Sequence, residues 1–426
     1  MLSSFNPINF STTRCVLPDR NRQPFPKLNL ISGLSISFGL SNNYMYLVTG
    51  YTTQKHIMKI KGQVKFVNKD QSRFFVTLKK RVDSYFVDNN ISKYGNASMV
   101  IKTIVLLASY IVPFLIIIFL QPSFLVMNLL WLLMGFGLAG IGMSIMHDAN
   151  HGAYSKSPAV NFWLGHTLNL VGGSVANWKL QHNILHHTYT NIAHMDDDIA
   201  DKLVLRFNPH TQVKSYQKLQ YVYAFLFYGI LTIYWALLKD FLQFARYIRN
   251  GVNPADRKEN NILLVRMIID KILYFFISLV VPVMMGIPFM YVLTGFLLMH
   301  FASGVILTVI FQMAHTVEGT THPLPNDQGD IENCWAIHQM NTTVNFSKGN
   351  KFLTWYLGGL NYQVEHHLFP RVCHVHYPQI APIVKQTAQE FGIPYLENES
   401  FGEAFQSHMN MLKKLGRLPD INEAIS

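Results

Sequence analysis

Two stretches of this chain, Phe124 to Met146 and Pro288 to Met313, contain no Asp, Glu, Lys or Arg. About 20 helical residues cross the hydrocarbon core of a bilayer, and these runs are long enough to do so. Each has a companion just before it. Val100 to Leu120 is interrupted only by Lys102 and Pro113, and Ile262 to Gly286 crowds Arg266, Asp270 and Lys271 into its first half. The links, Gln121-Pro122-Ser123 and Ile287-Pro288, are very short. The pattern predicts two helical hairpins with turns on the same side of a membrane. Composition points the same way. Only 14% of the 426 residues are charged, where a soluble domain has about 25%. Half are apolar, which excludes a disordered chain. Three cysteines, Cys15, Cys334 and Cys373, are too few for a disulfide framework or a thiolate metal site.

The net charge of +11 raises nucleic acid as a partner. The basic residues instead flank the apolar runs, which argues for a membrane and against nucleic acid. They cluster before the first run (Lys59, Lys61, Lys65, Lys79, Lys80, Arg81), in the middle (Lys156, Lys179, Arg206, Lys218, Arg246, Arg249) and at the end (Lys413, Lys414, Arg417). By the positive-inside rule all three regions, with both termini, lie in the cytoplasm. Residues 1–57 are rich in Ser, Thr and Asn and have no apolar period. They read as a transit peptide, or as upstream sequence before a true start at Met58. The folded domain is expected over 58–426.

Histidine is the surplus residue, at 18 copies. Three short runs hold the informative ones: His147-Asp-Ala-Asn-His151, His182-Asn-Ile-Leu-His186-His187 and Gln363-Val-Glu-His366-His367. His315 stands alone just beyond the fourth apolar run. On a helix, residues i and i+4 share a face. His147 and His151 therefore aim at one ion, as do His182 and His186, with His187 reaching sideways towards a second. Gln363, His366 and His367 share a face in the same way. Imidazole suits iron, zinc, copper and nickel, and eight histidines are too many for one ion. Any single run has a bland explanation, since chance pairs and loop histidines are common. Together, all at membrane ends where polar residues need partners, they predict a two-metal site.

One metal site also fixes the topology. Two further apolar stretches, Asn161 to Ala176 and Tyr221 to Leu238, would separate the histidine runs if they crossed. Both are therefore expected to lie in the membrane interface. The fold expected is all-α: four transmembrane helices in two hairpins, interfacial helices, and a cytosolic helical cap.

The runs HDANH, HNILHH and QVEHH resemble the three histidine boxes of integral-membrane fatty acid desaturases. So do Thr190-Asn191, Asp196-Asp197-Asp198, the run WAIHQMNTT from Trp335 to Thr343, and Gly358-Gly359-Leu360-Asn361-Tyr362. The glutamine opening the third box resembles the front-end subgroup, which inserts a double bond between an existing one and the carboxyl end. The resemblance covers about residues 60 to 410 and implies a cytosolic cap holding two irons. It implies His147, His151, His182, His186, His187, His315, His366 and His367 as ligands, with Gln363 at the substituted position. O2 would be the co-substrate and a fatty acyl chain, on CoA, phospholipid or carrier protein, the substrate. Many front-end enzymes carry a fused cytochrome b5 domain with a His-Pro-Gly-Gly motif. Here the only His-Pro, His322-Pro323, is followed by Leu324, so a separate ferredoxin or cytochrome b5 is expected as electron donor. A basic cap would suit an acidic partner. The compact chain suggests the bacterial inner membrane rather than endoplasmic reticulum or plastid.

Breaking an unactivated methylene C–H bond is beyond acid–base chemistry at neutral pH and calls for metal-activated oxygen. Carboxylates usually orient metal-bound imidazoles, and Asp148, Glu365, Asp196, Asp197 and Asp198 are the candidates. Trp178 and Trp335 are placed to line an acyl tunnel or to anchor at the interface. His194, His338, His374 and His376 read as loop histidines. The rivals are a fatty acyl or sphingolipid hydroxylase or desaturase on the same scaffold, and a metal transporter. Transporters place ionisable ligands near the bilayer midplane. Here the candidates sit at the membrane ends, which disfavours transport.

Overall fold

The computed structural model describes residues 39–41, 44–46, 64–67, 72–199 and 204–419. The chain falls into two units, Met1–Ile57 and Met58–Ser426. Of the first, two short antiparallel strands, Gly39–Ser41 and Tyr44–Tyr46, are described. The alternatives of transit peptide or later start, with Cys15, Lys59 and Lys61, concern residues outside those described.

The second unit is helical in chain order: α1 Ser72–Asp88, α2 Ala97–Leu120, α3 Phe124–His151, α4 Pro158–Gly165, α5 over 175–189, α6 Ser215–Arg249 and α7 Arg257–Met284. Then follow α8 Phe289–His315, α9 Trp335–Thr342, α10 Lys351–Tyr356, α11 Gln363–Leu368, α12 Tyr377–Glu390 and α13 Phe401–Leu415. Its described strands are two-residue parallel pairs, Lys65–Phe66 with Asp330–Ile331 and Asn345–Phe346 with Glu397–Asn398.

Helices α2, α3, α7 and α8 cover the four expected spans. In α3 and α8 half of the apolar stretch is buried, against 28% in α2 and α7, so these two form the centre of the bundle. The outer helices turn Ile101, Ile104, Ile269 and Ile272 outward, as a lipid-facing surface requires. The two hairpin turns touch. Gln121, in the left-handed region at φ 44°, donates from Nε2 to the Met285 carbonyl at 2.6 Å. Both central helices run past their expected ends. Helix α3 passes through a π turn at Ile141–Ile145 and continues to His151, and α8 ends on His315 itself. The histidines thus stand on the membrane helices rather than on loops after them.

Length and composition qualify five helices, not four, to cross a membrane. The fifth is α6, where an interfacial helix was expected over Tyr221 to Leu238. Apolar content cannot separate the two roles, because both bury one face in protein and leave the other against lipid. Its contacts are more informative. Near its start, Gln220 donates to the carbonyls of Leu412 (2.8 Å) and Arg206 (3.0 Å). Near its end, Arg246 and Tyr247 each reach Asp197 at 2.6 Å, and Gln243 reaches Gln181 at 2.7 Å. Its middle crosses α8, where Gly304 lets the helices approach so closely that a Cβ would lie 2.6 Å from the Tyr228 carbonyl. Buried Asp240 pairs with Lys271 of α7 at 2.9 Å. The other ambiguous stretch, Asn161 to Ala176, is broken into α4, a 3₁₀ turn at His166–Val171 and the start of α5.

A separate core holds the polar end together. Helix α1 places Phe74, Leu78, Val82 and Phe86 at intervals of four, one continuous stripe. That stripe packs with Ile380, Ala381, Val384 and Ala388 of α12, and with Met340 of α9 and Val364 of α11. Arg81 closes the edge on Thr387 (3.0 Å) and Glu390 (2.7 Å).

Candidate metal centre

All eight histidines named from the sequence come together and are buried or nearly so. His147, His151, His182 and His366 form one group, with one ring nitrogen of each within 4.8 Å of the others. His186, His315 and His367 form a second, and His187 stands between them with His366 and His367. Helix α3 supplies His147 and His151, α5 the middle three, α8 His315, and α11 the last two.

The pairing differs from helical expectation in one respect. His182 and His186 were expected on one ion, but they enter different all-histidine groups and share only a third group with Asp198. The cause is local winding: residues Lys179–His186 form a π-helical stretch, whose wider turn takes i and i+4 out of line. Their rings stay stacked, 5.2 Å apart. His366 joins the first group and His367 the second, and the two meet again in the group with His187.

The inward nitrogens lack conventional partners. Nε2 of His151, His186, His366 and His367 is buried without a hydrogen bond, as is Gln363 Oε1. His147 and His182 face each other Nε2 to Nε2 at 3.1 Å. Buried polar atoms are normally satisfied, so lone pairs converging on two points fit two metal ions. Five outward nitrogens are held, while Nδ1 of His147 and of His187 has no hydrogen bond. His186 Nδ1 meets Asp196 at 2.9 Å and His182 Nδ1 meets Asp198 at 3.5 Å. His366 Nδ1 meets the Tyr377 hydroxyl at 3.2 Å, His367 Nδ1 the Gln339 amide oxygen at 2.8 Å, and His315 Nδ1 the Thr342 carbonyl at 3.2 Å. In these five rings the arrangement puts the proton on Nδ1 and frees Nε2 for a metal. Gln363 Nε2 lies 2.9 Å from His315 Nε2.

The electrostatics favour neutral, ligating rings. Burial pushes His182 down to about 3, with His147 and His186 adding repulsion. Burial and neighbouring imidazoles hold His187, His366 and His367 well below the usual histidine value. His186 is the exception. Burial opposes its charge, but Asp196 outweighs burial and holds it above the usual value.

Of the five candidate carboxylates, only Asp196 and Asp198 directly hold imidazole nitrogens of these groups. Asp197 anchors α6 instead. Glu365 serves Asn345 and Tyr395, each at 2.8 Å. Asp148 lies 3.9 Å from His147 Nδ1 and 2.8 Å from His374 Nδ1. His374 is no surface loop residue: it is buried, with Lys102 Nζ 2.6 Å from its other nitrogen. His338 and His376 are also buried. His338 packs on Phe66, centroids 5.1 Å apart, and His376 reaches the Tyr94 carbonyl at 3.0 Å. His194 is exposed in a turn with φ 64°. Trp178 is buried and stacks on His182 at 4.5 Å, a wall of the centre rather than an interfacial anchor. Trp335 is half-buried and donates to the His187 carbonyl at 3.0 Å. Gln339, Tyr377 and Thr342 were missed as partners of these histidines. For Gln339 the spacing Trp335, Gln339, Thr342 on one helical face was the available signal.

A glycine pair brings α11 to this place. Gly358 and Gly359 both have positive φ, 61° and 69°, and a Cβ on Gly358 would lie 2.4 Å from the Met143 carbonyl in the π turn of α3.

A membrane helical bundle that gathers eight buried or nearly buried histidines defines a class, that of membrane proteins with a candidate metal centre. Comparison with known proteins narrows it. The fatty acid desaturase family matches residues 122–398. The chain is 34% identical to the sn-1 linoleoyl-lipid 6-desaturase of Arthrospira platensis, over 80% of this chain and 92% of that one. It is 35% identical to the acyl-lipid (8-3)-desaturase of Physcomitrium patens, over 84% and 74%. Delta(5) fatty acid desaturase A of Dictyostelium discoideum is 32% identical over 84% and 77%. The chain belongs to the fatty acid desaturase family: it is an integral membrane oxidoreductase of lipid metabolism.

Proposed function

We propose that this desaturase is a front-end enzyme that uses two irons and O2 to insert a cis double bond on the carboxyl side of an existing one. The observation that carries the reading is the set of buried inward imidazole nitrogens without hydrogen bonds, gathered at two points. His147, His151, His182 and His366 hold one iron. His186, His315 and His367 hold the other, with His187 between them. Gln363 stands beside His315, its buried Oε1 a further donor. When bound, the irons supply the oxygen activation that breaks an unactivated C–H bond. In the overall reaction two hydrogens leave adjacent carbons. O2, with those hydrogens, two electrons and two protons, becomes two waters. The protein's part is to keep the rings neutral by burial, to fix His186 and His182 through Asp196 and Asp198, and to exclude water with Trp178.

The substrate is a fatty acyl chain on a membrane lipid or CoA, a reading supported by the acyl-lipid names of the relatives. A separate acidic ferredoxin or cytochrome b5 delivers the electrons. Four helices cross the membrane, and α6 lies across the bundle at the interface. That topology is supported by the ties from both ends of α6 to the histidine segment and to α13. The histidine side faces the cytoplasm, as the basic flanks favour, and the proposed membrane is the bacterial inner one.

The test is a fatty-acid profile with double-bond location by mass spectrometry. The host expresses the full chain, is fed linoleic acid, and is compared with a His147→Ala control. A new acid with an added bond on the carboxyl side, absent from the control, is expected. A hydroxy acid, or a bond added on the methyl side, would overturn the front-end reading.

A further inference from the structure

One fully buried amide joins the second histidine run to the third. Gln339 of α9 has no exposed surface. Its Nε2 donates to the His187 carbonyl at 3.2 Å. Its Oε1 lies 2.8 Å from His367 Nδ1 and 2.9 Å from the Thr190 hydroxyl, which is itself a more distant neighbour of His367 Nδ1 at 3.3 Å. These partners fix which way the amide points. A carbonyl on one side demands the NH2, so the oxygen must face the imidazole. The imidazole must then carry its proton on Nδ1, which leaves the buried, unpartnered Nε2 of His367 directed at His186 and His315.

The partners of two neighbouring rings differ in charge. His186 Nδ1 meets a carboxylate, Asp196, while His367 Nδ1 meets a neutral amide. A carboxylate makes the ring a stronger electron donor, because its charge strengthens the hydrogen bond and pulls the Nδ1 proton outward. A neutral amide orients the ring without adding that charge.

We infer that Gln339 is a positioning residue for the iron held by His186, His315 and His367, setting the tautomer and aim of His367 while keeping its donor strength low. The inference rests on the two-iron reading above. It assigns no contact between Gln339 and substrate. Trp335 shares only the other half of the arrangement, donating to the same His187 carbonyl at 3.0 Å, so that carbonyl keeps a donor when Gln339 is changed.

The test uses the full-length protein in detergent, loaded with 57Fe, and reads iron content, Mössbauer spectrum and midpoint potential. Wild-type protein is expected to hold two irons in two resolved environments. Failure there counts against the two-iron reading itself and is seen before any variant is made. Gln339→Glu adds a second carboxylate to the same group, and a shift of the midpoint potential to more negative values is expected. Gln339→Met keeps the volume but removes all three hydrogen bonds. One of the two iron environments is expected to change and to lose iron on dialysis, while the other keeps its parameters. If Gln339→Glu does not yield folded protein, Gln339→Met decides the matter alone. Folded Gln339→Met protein with two irons and both environments as in wild type would overturn the inference. So would an equal change in both environments, which marks simple packing.

Discussion

Replacing Gly358 by alanine isolates the contact on which the third histidine run depends. The new methyl would lie 2.4 Å from the Met143 carbonyl oxygen, 2.6 Å from Ser144 Oγ and 2.8 Å from Ser144 Cα. Ordinary Cβ contacts start at 3.4 Å, so the π turn of α3 or the Gly358 loop must retreat by roughly 1 Å. The left-handed conformation costs alanine about 1–2 kcal/mol, and the forced repacking adds about 1–3 kcal/mol. Together these reach about 2–5 kcal/mol, a large share of a domain's net stability. In a domain of this size that lowers the melting temperature by roughly 3–6 °C. The displaced turn lies within one helical turn of His147, so metal retention falls with stability. Gly349→Ala is the control, since a Cβ there meets nothing within 4 Å. It should stay within about 0.5 kcal/mol of wild type. The assay is thermal unfolding of detergent-purified protein followed by size exclusion, with bound iron measured on the same samples. A Gly358→Ala protein that melts with wild type and keeps its metal would refute the argument that this glycine pair seats α11 against α3.

Two further outcomes are expected. Asp240→Ala takes the only carboxylate from Lys271, leaving its charge to the carbonyls of Gly172, Trp235 and Ala236, and removes the acceptor for the Ser174 amide (2.9 Å) and Trp235 Nε1 (3.0 Å). Breaking one side of a buried pair should cost about 3–5 kcal/mol, and a melting curve within 1 °C of wild type would show the pair to be idle. The third outcome concerns acid. His408 is fully buried between the Tyr228 hydroxyl (2.9 Å) and the Thr316 carbonyl (2.8 Å), and burial pushes it down to about 4. The unfolded chain takes up a proton near the ordinary value of about 6.5, where the folded chain still refuses it. Its contribution is therefore intact above that pH and is lost as pH falls towards 4. His408→Gln should flatten the fall in melting temperature over this window, and an unchanged slope would refute the assignment.

How far the sequence alone reaches can be judged residue by residue. The long apolar helices were legible because runs with so few charges have few other uses, and the gathering of the eight histidines because their spacing repeats next to those runs. The partition of His182 and His186 was not legible: it follows from π winding over Lys179–His186, which leaves no mark in composition. Helix α6 was ambiguous for a related reason, since its contacts with Asp197 and Leu412 decide its path and its apolarity does not. Gln339 and Tyr377 escaped because amides and phenols carry no charge pattern, and His374 because its partner Lys102 reads as a mere interruption of a span. Asp196 and Asp198 were visible as acids, but the contrasting task of Asp197 between them was not.

The histidines of the centre lie on both sides of α6 and of the second hairpin in chain order, the first on α3 and the last on α11. During synthesis, therefore, neither group is complete until both α8 and α11 have left the ribosome. On the two-iron reading proposed above, metal capture becomes a late event, a seal on a finished chain rather than a seed for folding. A chain truncated before α11 would carry six of the eight histidines and neither complete group.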